Sequence, residues 1–284
     1  MILFKKAAEL RKWLDNQSSN SASIGFVPTM GALHKGHISL IAAAKTGNSL
    51  VVCSVFVNPT QFNDPKDFEK YPITIEKDIQ LLEEAGCDVL FLPAVADIYP
   101  DGTKATKHYE LGYLETLLEG FYRPGHYQGV CAVVDRLLDI VQPDQLYLGQ
   151  KDYQQCMVIK KLLTLTGKQD DIAINVCPTL RETDGLAMSS RNMRLNADER
   201  AKAVLISEVL KFIKKHIKPG PLGDLQQRAV NMLEEEGFRV DYVSIADAND
   251  LSPVADWDGK QELVALIAAY LNEVRLIDNL IVKV

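Results

Sequence analysis

The fold is decided by residues 24–37, which read IGFVPTMGALHKGH. Residues 24–28 are predicted to form a short buried strand, and residues 37–45 are predicted to form a helix. The glycine-containing turn between them directs backbone N–H groups and the positive end of a helix towards one point, which favours a phosphate. Gly31 and Gly36 allow the backbone to approach such a ligand closely.

Short apolar segments and helices continue to alternate along the chain. Residues 50–57 form a valine-rich run typical of a strand buried on both faces. Further strands are predicted at 88–92, 145–148 and 172–176, further helices at 4–16, 75–85, 130–141 and 153–166, and a polar turn at 18–23. This alternation is typical of a parallel sheet covered on both faces, which binds ligands at the carboxyl ends of its strands.

The pattern changes after about residue 180. Two helices are predicted at residues 197–216 and 222–236, followed by strands at 240–246, 263–271 and 274–284. The predicted fold class is therefore α/β: a Rossmann-like, doubly wound parallel sheet domain followed by a smaller α+β domain with antiparallel strands. We place the first domain at residues 1–180 and the second, a lid-like domain, at residues 181–284.

Composition excludes several classes of protein. The 284 residues carry 31 basic and 38 acidic side chains, a formal charge of −7, which disfavours general binding of nucleic acid or of an anionic membrane. No apolar run is long enough to span a bilayer, and the first residues do not resemble a secretion signal. The five cysteines are scattered in apolar stretches, which is typical of core thiols in a reducing compartment. We therefore expect a cytoplasmic protein, in which a cysteine nucleophile has no support.

His34 and His37 are three residues apart and can share one face of a helix. Two imidazoles at this place can bind phosphate oxygens, or they can simply be surface histidines on a capped helix. The spacing alone does not favour a functional role, and the strand–turn–helix setting is what keeps phosphate binding open beside the alternative. The glycine motifs of dehydrogenases and of P-loop proteins are both absent from the sequence.

Asn58 and Gln61 follow the valine-rich run and offer uncharged donors and acceptors for a small hydroxylated substrate. The pair Asn58–Pro59 is also a common turn, and the local sequence alone favours that reading.

Two later segments carry phosphate-binding side chains. Lys151 can bind a phosphate, Asp152 is either a helix N-cap or a ribose ligand, and Gln155 lies about one helical turn further on. Residues 184–192 offer two serines and Arg191 after a glycine, either as a polyphosphate-binding loop that closes over substrate or as an interdomain loop.

Together these segments resemble the pantothenate synthetase (pantoate–β-alanine ligase) family of the HxGH nucleotidylyltransferase superfamily. The resemblance rests on residues 28–37 (PTMGALHKGH), 56–62 (FVNPTQF), 123–130 (RPGHYQGV), 149–155 (GQKDYQQ) and 188–192 (MSSRN). It implies that ATP and Mg²⁺ are used to join (R)-pantoate to β-alanine through a pantoyl adenylate, with release of pyrophosphate and AMP.

The resemblance also implies the role of each site residue. His37, as proton donor, His34 and Lys151 would be catalytic. Gln61, Gln155 and Asn58 would bind pantoate or β-alanine. The residues implied for ATP are Met30, Gly31, Ala32, Leu33, His34, Lys35, Gly36, His37, Gly149, Gln150, Lys151, Asp152, Leu180, Met188, Ser189, Ser190 and Arg191.

Further expectations concern the surroundings of this site. The resemblance implies a flexible gate at residues 63–78, Mg²⁺ held mainly by the ATP phosphates, and a homodimer. Ile73 and Arg194 stand where the family usually has arginine and tyrosine, which puts a gate contact through residue 73 in doubt. Three alternatives remain: another HxGH adenylyltransferase, a nucleotide-binding regulatory protein, and a redox enzyme.

Overall fold

The structure is a computed structural model that describes residues 1–18, 22–104 and 107–282. Residues 19–21 of the predicted polar turn, and residues 283–284 of the last predicted strand, lie outside these ranges. The chain divides into two compact units. The first contains residues 1–149 and 155–178, and the second contains residues 150–154 and 179–284.

Within the described residues, six parallel strands form the sheet of the first unit, in the order β1-β4-β3-β2-β5-β6. The strands are β1 (Ile2–Phe4), β2 (Ile24–Thr29), β3 (Leu50–Val55), β4 (Val89–Phe91), β5 (Gln145–Gly149) and β6 (Ala173–Cys177). The helices are α1 (Ala7–Ser18), α2 (Lys35–Gly47), α3 (Pro65–Glu69), α4 (Ile75–Glu84), α5 (Val95–Ile98), α6 (Leu118–Tyr122), α7 (His126–Val141) and α8 (Tyr153–Leu165).

Both faces of this sheet are covered, as the valine-rich run predicts. Val27 and Cys53 pack in one hydrophobic cluster with Ile41 of α2. Their strand neighbours Phe26 and Val52 point to the opposite face and are also fully buried. The strand order reverses between β2 and β5, and sheets of this type bind ligands beyond the carboxyl ends of the strands at such a point. The predicted doubly wound sheet is confirmed.

Two predicted boundaries in the first unit are wrong. The helix predicted at residues 4–16 starts too early, because Phe4 belongs to strand β1, which pairs with β4. The three residues of β1 are too few to show the alternation of a strand. The helix predicted from residue 130 begins at His126, because Gly125 adopts a left-handed conformation (φ 78°) that lets the chain turn into the helix four residues earlier.

The second unit contains a three-stranded antiparallel sheet, in the order β11-β10-β8 among the residues described. Its elements are α9 (Ala197–Lys202), α10 (Leu205–His216), β7 (Gly220–Pro221), α11 (Gly223–Glu235), β8 (Arg239–Asp247), β9 (Asp256–Trp257), β10 (Leu263–Leu271) and β11 (Val274–Val282). Val209, Leu233 and Ile267 belong to its core cluster, so α10 and α11 pack on the sheet. The predicted α+β class of this region is confirmed.

The single helix predicted at residues 197–216 is wrong, because the chain breaks it into α9 and α10. The N–H groups of Ile206 and Ser207 bond to the carbonyls of Ala203 and Val204, three residues back. These tight turns interrupt the α-helical ladder where neither glycine nor proline marks the sequence.

Burial disfavours the reactive thiolate at several cysteines of this protein. Cys53, Cys87, Cys131 and Cys156 are buried, and Cys177 is partly buried. Burial raises the pKa of Cys53, that of Cys87 to about 11 and that of Cys131 to about 12, which disfavours the reactive thiolate. In the part of the chain that the structure describes, no helix is long and apolar enough to cross a membrane.

Asp135 of α7 is a buried carboxylate at the centre of an ion network. Its carboxylate accepts hydrogen bonds from Lys107 (2.8 Å), Tyr109 (2.9 Å) and Lys168 (2.7 Å). Burial alone would raise the pKa of Asp135, but the bonds from the two lysines and the tyrosine outweigh it and hold the pKa below its usual 3.8. The network therefore stabilises the folded state through the ionised carboxylate.

We expect Asp135→Asn to lower the free energy of unfolding by about 2–3 kcal/mol at pH 7, because charge-assisted bonds to a buried group are lost. Asp139→Asn is the matched control on the same helix: Asp139 is exposed and pairs with Lys168, so its loss should cost less than about 1 kcal/mol. Urea unfolding measures both.

The contribution of Asp135 to stability depends on pH in a defined way. The pKa of Asp135 is lower in the folded than in the unfolded state, so its contribution is present above the usual carboxyl value and is lost as pH falls through the folded value. The deficit of Asp135→Asn should therefore shrink below about pH 4. Equal deficits for the two variants at pH 7 would contradict the assignment.

Candidate active site

The turn that follows β2 has two consecutive residues in the left-handed region. Gly31 has φ 82° and Ala32 has φ 49°. A side chain at Gly31 would also meet Asp78 and Val55 at 3.0 Å, so both the backbone conformation and the space require glycine. Such strain in a non-glycine residue is typical of functional turns, and here the surrounding structure holds Ala32 in place.

Asp78 of α4 is what holds this turn. Its carboxylate is 1% exposed and accepts bonds from the N–H groups of Ala32 (3.0 Å) and Leu33 (2.8 Å) and from the hydroxyl of Thr74 (3.0 Å). The two backbone donors are therefore used by the protein itself. Because these two N–H groups are not available to a ligand, the side chains of His34 and His37 must contribute more to any phosphate binding than the backbone of the turn does.

His34 and His37 form a reciprocal cap at the start of α2. His34 Nδ1 accepts from the N–H of Gly36 (3.1 Å), and His37 Nδ1 accepts from the N–H of His34 (3.3 Å). Their ring centroids are 4.0 Å apart, which confirms that the two imidazoles share one face. The interpretation of these histidines as helix caps is confirmed, and phosphate binding by the adjacent rings stays a prediction.

The cap fixes the tautomer of each imidazole. Because Nδ1 of both rings accepts a backbone N–H, the neutral rings carry their proton on Nε2. Two adjacent Nε2–H donors are suited to oxygen atoms that gain negative charge during a reaction. The positive end of α2 reinforces that preference.

Gln61 and Met30 are brought together at the carboxyl ends of β3 and β2. Gln61 is 8% exposed, and its Nε2 donates to Met30 Sδ at 2.9 Å. The segments after β2 and β3, which sequence reasoning selected separately, therefore meet within the first unit.

Asn58 caps the 3₁₀ turn Pro59–Gln61 and is 1% exposed. Its Oδ1 accepts from Thr60 and from the Tyr99 hydroxyl (2.9 Å), and its Nδ2 donates to Gln61 Oε1 and to the carbonyl of Gly129 (both 3.1 Å). The turn reading of Asn58 is confirmed. Both hydrogens of the Asn58 Nδ2 are donated and its Oδ1 accepts from two residues, whereas Oε1 and Nε2 of Gln61 each make one bond. Asn58 is therefore better placed to orient Gln61 than to bind substrate.

Helix α7 fixes Gln61 from the other side. His126 is buried, and its Nδ1 is 2.7 Å from the carbonyl of Gln61. Gly129 packs so closely that an added Cβ would lie 2.2 Å from the carbonyl oxygen of Thr60 and 2.7 Å from Cα of Gln61. The glycine is therefore required by the position of Gln61.

The two later segments, residues 149–155 and 184–192, lie in the second unit, apart from Gly149 and Gln155, which belong to the first. Lys151 Nζ is 3.5 Å from Asp152 in a short 3₁₀ turn of residues 150–152. The residues from Leu180 to Met188 fold back on themselves. The N–H of Met188 bonds to the carbonyl of Leu180, and Arg181 and Ala187 form an antiparallel β-bridge. Ser189 caps the turn Ser190–Arg194 through a bond from the N–H of Arg191.

Sequence reasoning missed two residues of this site. Asp78 stands one turn before Leu82 and one turn after Ile75, so an acidic residue on the apolar face of a helix was a signal that could have found it. His126 lies in a quoted motif, but no sequence pattern shows that an imidazole will bond to a carbonyl 65 residues away. The two atypical residues take no assigned role: Ile73 is 71% exposed, and Arg194 ends a turn.

The family model described as pantoate-beta-alanine ligase matches residues 2–281 of this chain. The chain is 45% identical over 285 aligned residues to the pantothenate synthetase of Cytophaga hutchinsonii, with 99% of each chain covered. It is 42% identical to the pantothenate synthetase of Porphyromonas gingivalis, again with 99% of each covered.

Solved structures give the same result. The pantothenate synthetase of Thermus thermophilus superposes with a TM-score of 0.88 at 40% identity, covering 99% of both chains. The pantoate-beta-alanine ligase of Francisella tularensis, complexed with beta-gamma ATP and beta-alanine, superposes with a TM-score of 0.82 at 38% identity, covering 99% of this chain and 97% of that one.

Proposed function

The chain belongs to the pantoate–β-alanine ligase family, and on that premise we propose how its residues carry out the ATP-dependent ligation of pantoate and β-alanine. One observation carries the proposal: Gln61, a neutral amide suited to a hydroxylated acid, is bonded to Met30 of the turn that leads into the paired imidazoles. A ligase of this kind needs such groups for the acid and for the nucleotide.

The reaction has two steps in this proposal. The carboxylate of pantoate attacks the α-phosphorus of ATP, the bond to the β-phosphate oxygen breaks, and pyrophosphate leaves. The amine of β-alanine then attacks the acyl carbon of the pantoyl adenylate, loses a proton and releases AMP. Adenylation is needed because a free carboxylate is a poor electrophile.

His34 and His37 stabilise the first step. Their Nε2–H donors bind phosphate oxygens of ATP and offset the charge that develops as the α-phosphorus becomes five-coordinate. His37 can also pass its Nε2 proton to a departing oxygen. Met30 to Gly36 bind the nucleotide next to these histidines. The N–H groups of Ala32 and Leu33 do not take part, because they bond to Asp78.

The acid substrates are assigned to the amides. Gln61 binds pantoate and lies near the β-alanine position, and Gln155 binds pantoate as a second amide. Asn58 acts by orienting Gln61, with which it shares a hydrogen bond.

Other nucleotide contacts follow from the family resemblance. Gly149 and Asp152 bind the ribose, Gln150 is part of the same ATP-binding segment, and Lys151 binds phosphate or the developing charge. Leu180 contacts adenine through its backbone. The triphosphate is bound by Met188, Ser189, Ser190 and Arg191.

Mg²⁺ is proposed to enter bound to the ATP phosphates. Within residues 1–18, 22–104 and 107–282, no group of three His, Cys, Asp or Glu side chains could hold a metal ion. The imidazoles, Lys151, Arg191 and the serines suit phosphate oxygens, whereas Mg²⁺ prefers carboxylate and phosphate oxygens. The ion would supply charge neutralisation.

We also propose that the protein is a cytoplasmic homodimer and that its domains are residues 1–180 and residues 181–284, the second acting as a lid. Residues 63–78 are proposed as a gate that is anchored at its last residue, because Asp78 bonds to the N–H groups of Ala32 and Leu33. Phe62, just before this segment, makes aromatic contacts with Phe68 and Tyr71 inside it.

The test is to incubate the protein with ATP, Mg²⁺, pantoate and β-alanine and to identify the products by mass. Pantothenate with AMP and pyrophosphate is the expected result. Transfer of AMP only to a nucleotide or a phosphate ester would favour the other HxGH class. ATP binding without turnover of any of these substrates would favour a regulatory protein.

We expect Gln61→Ala to weaken pantoate binding by about 10–100-fold, because a hydrogen bond to a charged group contributes about 1.5–3 kcal/mol. ATP affinity should change less than about twofold. Gln80→Ala is the control, since Gln80 is exposed on α4 and bonds locally to Glu84. Calorimetric titration measures both affinities, and unchanged pantoate affinity in Gln61→Ala would refute the assignment.

A further inference from the structure

The turn that carries Lys151 is held by a side chain 128 residues further along the chain. Asn279 of β11 donates from Nδ2 to the carbonyl of Gln150 (3.0 Å) and to that of Lys151 (2.8 Å). Its Oδ1 accepts from the side chain of Gln150 at 3.2 Å. Three hydrogen bonds from one amide thus fix two consecutive residues.

These three hydrogen bonds, here called the Asn279 clamp, hold the turn in one position because Asn279 is buried. Asn279 is 2% exposed, and burying an amide without partners is costly, so the three bonds to residues 150–151 keep its place in the sheet favourable. If the turn moved, the amide would lose its partners. The clamp therefore has a preferred position, whereas an apolar side chain there would pack against the turn without fixing it.

The neighbouring residue on β11 anchors a second segment. Asp278 is 3% exposed and forms a two-pronged ion pair with Arg181, whose guanidinium also donates to the carbonyls of Gly185 (3.1 Å) and Asn279 (3.2 Å). Adjacent residues of one strand thus hold the turn at residues 150–152 and the fold-back of residues 180–188.

We propose that Asn279 is a positioning residue that acts through Lys151: it fixes the backbone of residues 150–151 so that the Lys151 ammonium is presented correctly to the reacting phosphates. This inference rests on the proposed function. Misplacing a catalytic group by about 1 Å costs roughly 10²-fold in rate, so a clamp on its backbone is expected to appear in kcat.

The test is a double-mutant cycle on pyrophosphate release from ATP and pantoate, under single-turnover conditions with enzyme in excess. It uses wild type, Asn279→Ala, Lys151→Ala and the double variant. We expect Asn279→Ala to slow the step about 10–100-fold with pantoate KM unchanged within about twofold. In the Lys151→Ala background the same substitution should slow it by less than about twofold, because the group it positions is gone.

Two further variants separate positioning from folding. Leu276→Ala removes a core side chain from the same strand, and we expect a lower unfolding midpoint with the rate within about twofold of wild type. Asn279→Asp keeps the shape but sets an acceptor against two carbonyl oxygens. It replaces Asn279→Ala in the cycle if that variant does not fold.

The outcomes are distinct. Equal rate losses in both backgrounds, or a wild-type rate in Asn279→Ala, would overturn the inference while leaving the ligase activity in place. A wild-type rate in Lys151→Ala would also overturn it, because there would be no group to position. No pantothenate from the wild-type protein would instead refute the proposed function.

Discussion

Replacing His37 by alanine is expected to slow adenylate formation by about 10²–10³-fold, which is the usual cost of losing one donor to a developing charge. His37 accepts a bond from the N–H of His34, and the centroids of the two rings are 4.0 Å apart, so its Nε2–H is directed before any substrate arrives. The measurement is the rate of pyrophosphate release from ATP and pantoate.

Folding should be affected far less. The substitution removes one cap acceptor, which costs about 0.5–2 kcal/mol. His216→Ala is the control, since His216 lies exposed at the end of α10 and should be silent in the rate. Pyrophosphate release near the wild-type rate in His37→Ala would show that the role given to this imidazole is wrong.

Gly129→Ala should be nearly as damaging to pantoate binding as removal of Gln61 itself. The new Cβ would lie 2.2 Å from the Thr60 carbonyl oxygen and 2.5 Å from its carbon, and backbone atoms cannot yield as a flexible side chain can. Either α7 or the turn at residues 59–61 must move. We expect a loss of about 1–3 kcal/mol in stability and of about 10–100-fold in pantoate affinity, the same range as for Gln61→Ala.

The matched control is Gly223→Ala at the start of α11. Gly223 has open space around its Cβ position and no positive φ, so alanine should be neutral or slightly stabilising there. Urea unfolding and a pantoate titration measure the two variants. Wild-type pantoate affinity in Gly129→Ala would mean that Gln61 can shift without consequence.

Local signals in the sequence were sufficient for most of the sheet and for the paired histidines. The valine run of β3, the strand before Met30 and the pairing of His34 with His37 are each determined by residues that are close together in the sequence. Sequence periodicity can detect features of this kind. The three-residue strand β1 and the break after α9 lack such a signal. Pairing with β4 determines the first, and i→i+3 hydrogen bonds at unmarked residues determine the second.

The supporting residues of the site were harder to predict for a different reason. Asp78, His126 and Asn279 act on backbone atoms 45, 65 and 128 residues away. A hydrogen bond to a carbonyl or an N–H selects no particular residue type at its far end, so neither partner carries a pattern. The groups assigned to the chemistry could be named from the sequence, but the groups that orient them needed the fold.

The shared tautomer of His34 and His37 has a consequence for inhibitor design. Both Nδ1 atoms are committed to the helix start, so a compound aimed at this pair meets two N–H donors side by side. A linker with two acceptor oxygens, such as a sulfonyl group, complements that surface without the charge of a phosphate. A linker that presents its own N–H there would leave donors facing donors, and we expect it to lose affinity.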